Sequence, residues 1–346
     1  MLPAALPGHV AYLDGWRGLC ILLVLIGHFF EVLRPVGAVG VEFFFALSGR
    51  LMAEVLIVRQ MPIGRFLQRR ASRILPGLIF YIVSVSLVLT VPLALASVDV
   101  QMASPIAALL LVHNFLPQDQ VSSLFEHTWS LAVEEHSYLL LAVIAVATAR
   151  RPVLAVIAAL LVCGLCYARG SYLANVTLDY GQYAVWRSDV RAASVLLPFA
   201  LTLAADRLTL RLPSWTAPAC ATVAISSALY FGYLSSVNFI AVSFCATGAV
   251  LMLGQTRGLV RRLLENRILV VLGTISFSLY LWQQLFFSFA KEAHIPPLLV
   301  APLALAYALW SYKRIEQPAR NYLNSRWDRS RVRDPAPSSQ ELPAGV

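Results

Sequence analysis

The sequence predicts an all-α integral membrane protein with about ten transmembrane helices and both termini in the cytosol. Three observations carry that expectation. Hydrophobic residues fill 59% of the 346 positions and charged residues only 13%, with a mean hydropathy of +0.71. A soluble domain would carry about 25% charged residues. Apolar runs of spanning or near-spanning length recur along the whole chain. Lysine and arginine, finally, are distributed by side.

The first run, 16–33, follows "MLPAALPGHVAYLDG", which lacks an apolar signal core, so it is expected to stay as an uncleaved anchor. The next two lie at 38–58 and 74–96. In the second run Arg50 and Glu54 stand four apart and are expected to pair on one face, and Gly49 offers a close approach to a neighbour. A shorter run, 104–116, is expected to be interfacial or re-entrant. Seven more follow at 129–149, 152–168, 190–205, 217–234, 237–254, 268–290 and 297–312. The membrane domain is expected to close near residue 322, and the charged, then Pro/Ser-rich stretch 323–346 to be a disordered cytosolic tail.

A formal net charge of +9 would suit nucleic acid, but its distribution follows the positive-inside rule instead. With the N-terminus cytosolic and 104–116 not spanning, 20 basic residues fall on the cytosolic side. They cluster at 59–73, 150–151, 207–211, 257–267 and 313–333, and include Arg207 and Arg211. Only Arg34, Arg169, Arg187 and Lys291 fall outside, while Arg17, Arg50 and Arg191 lie at or within spans. The five cysteines all sit in apolar runs, and the Cys163–Cys166 pair reads as small packing residues rather than a redox or zinc motif.

Ionisable residues inside such runs are costly, roughly 2.5–3.5 kcal/mol for a central arginine on insertion scales. The first run holds Arg17 and His28, eleven residues apart. That is three helical turns to within about 20°, so both project from one face, about 16 Å apart along the axis. A neutral imidazole inside the membrane can serve as a proton acceptor, and burial favours the neutral form. Arg65, Arg69 and Arg73 follow an i, i+4, i+8 spacing, with Arg70 adjoining. Such a cluster is either topogenic or a dock for clustered phosphates, which guanidinium forks suit. Glu134, Glu135 and His136 open a later run from the outer side. They form either a buried polar network or a polar chamber near the outer leaflet that His28 also reaches.

Six stretches now stand in order: "YLDGWRGLCILLVLIGH", "FFFALSGRLM", "RRASRILP", "HTWSLAVEEHSYLL", "SFSLYLW" and "YKRIEQPAR". The chain resembles acyltransferase family 3, integral membrane O-acyltransferases of surface polysaccharides and related glycans, over about residues 12–322. The resemblance implies transfer of an acyl group, most often acetyl, from acyl-CoA (acetyl-CoA) to a sugar hydroxyl, with no permanently bound cofactor. Partners would be the bilayer, the donor, and a glycan or lipid-linked saccharide acceptor, in a bacterial inner membrane and without nucleic acid. The family's Arg-x10-His pair is matched by Arg17 and His28, with the histidine catalytic. Its RxxR pair, associated with the CoA donor, is matched by Arg70 and Arg73, with Arg69 beside them. Glu134 and Glu135 join the catalytic candidates, and Asp14, Trp129 and Glu316 are further candidate positions within the matched motifs. Gln283 stands where many members carry histidine, and Arg50 stands where an aromatic residue is common. The resemblance also implies a single-module transferase, without the periplasmic esterase-like domain of some members. Two readings from other classes use the same residues: a transporter or flippase for a lipid-linked glycan, with a polar alternating-access path, and a scaffold for a polysaccharide synthase.

Overall fold

The computed structural model describes residues 10–95, 103–117, 120–176, 186–209, 212–232 and 236–333. Every regular element among them is helical. Ten apolar helices stand where the ten apolar runs do. They are α1 (Ala11–Phe29), α2 (Arg34–Met52), α3 (Ile63–Leu95), α4 (Thr128–Ala147) and α5 (Pro152–Val176). The second half supplies α6 (Ala193–Arg207), α7 (Thr216–Phe231), α8 (Ser236–Met252), α9 (Ser276–Glu292) and α10 (Pro297–Ser311). By length and composition six helical spans among the described residues can cross a membrane alone, or seven when Arg267–Thr274 and α9, bent by 76°, count as one. The run 104–116 forms only the seven-residue helix Ala103–Leu109 and a turn at His113–Phe115, too short to span.

α1 lies at the centre of the packing, and glycine puts it there. A Cβ at Gly15 or Gly18 would overlap the carbonyl oxygen of Leu264 or Leu269, and one at Gly27 would overlap the backbone of Gly37 in α2. Backbones meet because no side chain separates them, which is how helices associate where hydrocarbon removes the usual hydrophobic drive. The turn between α1 and α2 is set by Phe30 in an extended conformation and by Pro35 in the first turn of α2, where its missing N–H costs nothing. The short helix Arg267–Thr274 is started by Asn266, whose side chain accepts the Ile268 N–H at 2.9 Å.

Several charges within the bundle are paired, though not always as their spacing suggests. Arg50 and Glu54 do not meet. α2 continues into a π-helical turn, Ala53–Val58, whose i→i+5 bonding breaks the four-residue register. Arg50 instead donates to the Val250 carbonyl at 2.5 Å, and Glu54 receives Arg59. The fully buried pair is Glu42 with Arg191, 2.8 Å apart with side chains 1% exposed, and Ser243 donates to the same carboxylate. Past α10 the chain does not fray at 322: a π-turn (Tyr312–Glu316) leads into α11 (Gln317–Arg333). The rest of the expected tail, 334–346, and Arg211 lie outside the described residues.

The glycine contacts carry a testable consequence. Gly18→Leu drives a side chain into the Leu269 backbone and should abolish monodisperse protein in detergent. Gly64→Leu, where nothing lies within 4 Å of the added Cβ, should behave as wild type in the same size-exclusion measurement.

Candidate functional site

Two cavities flank α1. The first, about 280 Å³, is lined by Arg17, Ser48, Arg70, Arg73, Glu134 and Tyr280. The second, about 480 Å³, is lined by His28, Glu126, His127, Trp129, Gln284 and Tyr280. Tyr280 and Val41 line both and form the partition between them. The Tyr280 hydroxyl donates to the His127 carbonyl at 2.8 Å and lies 2.5 Å from Ser130 Oγ, so the partition is hydrogen-bonded in place. The direction of the helices explains the division. The start of α1, the start of α3 and the middle of α4 surround the first cavity; the end of α1, the segment leading into α4 and the later turns of α9 surround the second.

Arg17 and His28 therefore share a helix but not a cavity. Arg17 bonds the buried Asp14 at 3.1 Å. His28 is half-buried, its Nδ1 2.8 Å from Gln283 Oε1 and its ring stacked on Phe287 at 5.6 Å. The carboxylates of Glu134 and Glu135 do not reach His28. Both are taken by Arg70, at 3.3 and 2.9 Å, in a cluster closed by Ser48 and Tyr138 donating to Glu134. The Arg70 guanidinium also lies 3.9 Å over the Tyr138 ring. Depth is the reason: six residues separate Thr128 from Glu134, about 9 Å of helix, enough to carry the pair past the partition. Residues 64–73, which lie between the apolar runs 38–58 and 74–96, belong to the first turns of α3 and bring Arg70 to meet them.

The arginine cluster is likewise divided by α3. Arg69 and Arg65 point outward to Asp328 of α11, at 3.0 and 4.0 Å, with exposed side chains. Arg70 and Arg73 point into the first cavity. Arg73 has no ion pair among the described residues, so it is the guanidinium there most available to an anion. Glu316 lies in neither cavity lining; it is buried against Gly77 and accepts from Ser311 at 3.2 Å.

The second cavity holds Trp129, already a candidate in the sequence, together with Glu126, His127 and Gln284, which the sequence did not single out. Trp129 stacks on Trp186, 5.5 Å between centroids and 6° between planes. His127, just ahead of α4, is buried beside the rings of Tyr81 and Tyr280 with neither ring nitrogen hydrogen-bonded among the described residues, and burial holds its pKa well below the usual histidine value, with His28 adding to the effect. Burial pushes the Glu126 carboxyl above its ordinary value, while Arg34 and Lys291 pull it back. Gln283 and Gln284 are adjacent buried amides in an apolar helix. Their signal in the sequence was the cost of a polar pair at that depth.

A family model described as an acyltransferase domain matches residues 10–311. The chain belongs to acyltransferase family 3. Its curated relatives include the O-acetyltransferase OatA of Staphylococcus aureus strains NCTC 8325 / PS 47, COL and MRSA252. Each is 26% identical over 356 residues, covering 92% of this chain and 58% of the relative. The chain thus spans less than two thirds of the relatives it matches. No solved structure matches it.

The first cavity makes a direct prediction about stability. Arg70→Met strands Glu134 and Glu135 without their cation and should cost about 3–5 kcal/mol, as removal of one partner from a buried pair does. Arg69→Met gives up only an exposed contact and should leave the thermal midpoint in detergent unchanged. Equal midpoints for the two variants would contradict the division of the arginines.

Proposed function

We propose that the protein is an acyl-CoA-dependent O-acyltransferase of the bacterial cytoplasmic membrane. It moves an acyl group, most simply acetyl, from the cytosolic side to a sugar hydroxyl of a surface glycan or lipid-linked saccharide. On the proposed topology of ten spans with both termini cytosolic, which the basic-residue distribution supports, the first cavity faces the cytosol. The observation that carries the reading is the pairing of an arginine-lined cavity with a histidine-lined one across the Tyr280–Val41 partition.

Acyl-CoA carries about four negative charges on its phosphates, which guanidinium groups bind well. Arg73 and Arg17 receive them, while Arg70 holds Glu134 and Glu135 and shapes the cavity wall. The thioester arm extends past Tyr280 toward the second cavity. There the flat Trp129–Trp186 pair offers the kind of face on which a sugar ring rests. The imidazole of His28 takes the proton from the acceptor hydroxyl as its oxygen attacks the thioester carbonyl carbon. The tetrahedral intermediate collapses with loss of the CoA thiolate, and the imidazolium returns its proton to that sulfur, giving ester and free CoA. General-base assistance of this kind is worth 10²–10⁴-fold.

His28→Ala should lower acetyl transfer from labelled acetyl-CoA in membrane vesicles by that factor, with expression and insertion intact. Arg73→Ala should raise the KM for acetyl-CoA about tenfold, a loss of ~1.4 kcal/mol; Arg207→Ala, on the exposed end of α6, should not. Near wild-type activity in His28→Ala removes the proposed base. Equal KM changes in the two arginine variants remove the proposed donor site.

A further inference from the structure

The two glutamines of α9 form a hydrogen-bond relay whose direction is fixed at its far end. Gln284 Nε2 lies 2.6 Å from the Ser123 carbonyl oxygen. A peptide carbonyl only accepts, so the nitrogen end of the Gln284 amide must point there. Its oxygen then turns toward Gln283 and accepts from Nε2 in a long contact of 3.5 Å. Gln283 is left presenting its own oxygen to His28 Nδ1 at 2.8 Å. An amide oxygen cannot donate, so in the neutral ring the hydrogen sits on Nδ1 and the lone pair on Nε2. Phe287, stacked at 5.6 Å and 23°, holds the ring plane. Nε2 has no hydrogen-bond partner among the described residues, and His28 lines the second cavity.

We infer that Ser123, Gln284 and Gln283 act as a positioning relay that selects the Nδ1-protonated tautomer of His28 and makes Nε2 the atom that meets the acceptor hydroxyl. Both glutamines are fully or almost fully buried, 0% and 4% exposed, so their amides are largely shielded from water. Histidine's two ring nitrogens are distinct, and the bond made by one decides what the other can do. A neutral amide suits this duty because it orients the ring without holding a proton on it at rest, as a carboxylate would. Gln283 is a positioning residue and touches no substrate. Its kinetic meaning rests on the proposed role of His28; the tautomer assignment does not.

The test is solid-state NMR of protein labelled with ¹⁵N-histidine in lipid bilayers, at a pH where His28 is neutral. His28→Ala identifies the His28 resonances. The wild type should show a protonated Nδ1 and a bare Nε2. Gln283→Leu should lose that single-tautomer signature and lower kcat about 10–100-fold, by analogy with loss of the groups that orient metal-bound histidines, with the KM for acetyl-CoA unchanged. Gln284→Leu, which frees the Gln283 amide to turn over, should mix the tautomers, and it carries the test if Gln283→Leu fails to fold. A wild-type His28 protonated at Nε2, or a tautomer unchanged in both variants, overturns the inference. Should the spectra come out as expected while His28→Ala retains activity, the relay stands and the general-base reading falls.

Discussion

The close seating of α1 is the constraint on which the rest of the structure depends. Gly15 and Gly18 let the backbone near Leu264 and Leu269 touch the helix, and Gly27 does the same for α2 at Gly37. With no side chains between these backbones, α1 has little freedom to slide or rotate. Its eleven-residue interval then becomes a fixed ruler of about 16 Å between Arg17 and His28. The bundle assembles around that ruler, giving an arginine-lined space at one end and an imidazole at the other. Tyr280 divides the two, held by the His127 carbonyl and set against Ser130.

What the sequence shows well is whatever depends on local pattern. The apolar runs become helices, six or seven of them among the described residues able to cross a membrane, and the Arg17–His28 interval survives because an unbroken helix preserves it. Properties that depend on partners far away in the chain were not legible. The sequence left open whether Glu134 and Glu135 form a buried polar network or share a chamber with His28; the network is what the contacts show, and its cation is Arg70, more than sixty positions earlier. Arg50 and Glu54 had the right spacing for a pair, and a π-turn removed it. The arginines of α3 read as one cluster, yet a helix carries them to two sides, and only the packing of α11 reveals that Arg65 and Arg69 face Asp328. Gln283 looked like a departure from the family pattern and turns out to hold the histidine.

These misplacements share a cause. Within an apolar bundle an ionisable side chain must find a partner, because leaving it unpaired is expensive. The nearest partner in space is chosen by helix packing, not by sequence distance. The charges so captured, such as Glu42 with Arg191 and Arg70 with its two glutamates, become structural. Those left with spare capacity, Arg73 in the first cavity and Nε2 of His28 in the second, are the groups to which the proposed chemistry falls.

Transfer across the partition is the central claim, and sidedness tests it most directly. Purified protein would be reconstituted in sealed proteoliposomes of known orientation, with acetyl-CoA confined to the face carrying the start of α3 and an acceptor saccharide confined to the other. Acetylated acceptor should form under this arrangement and be lost when the donor is moved to the acceptor's side. Product that forms only when donor and acceptor share one compartment would contradict transfer through the bundle.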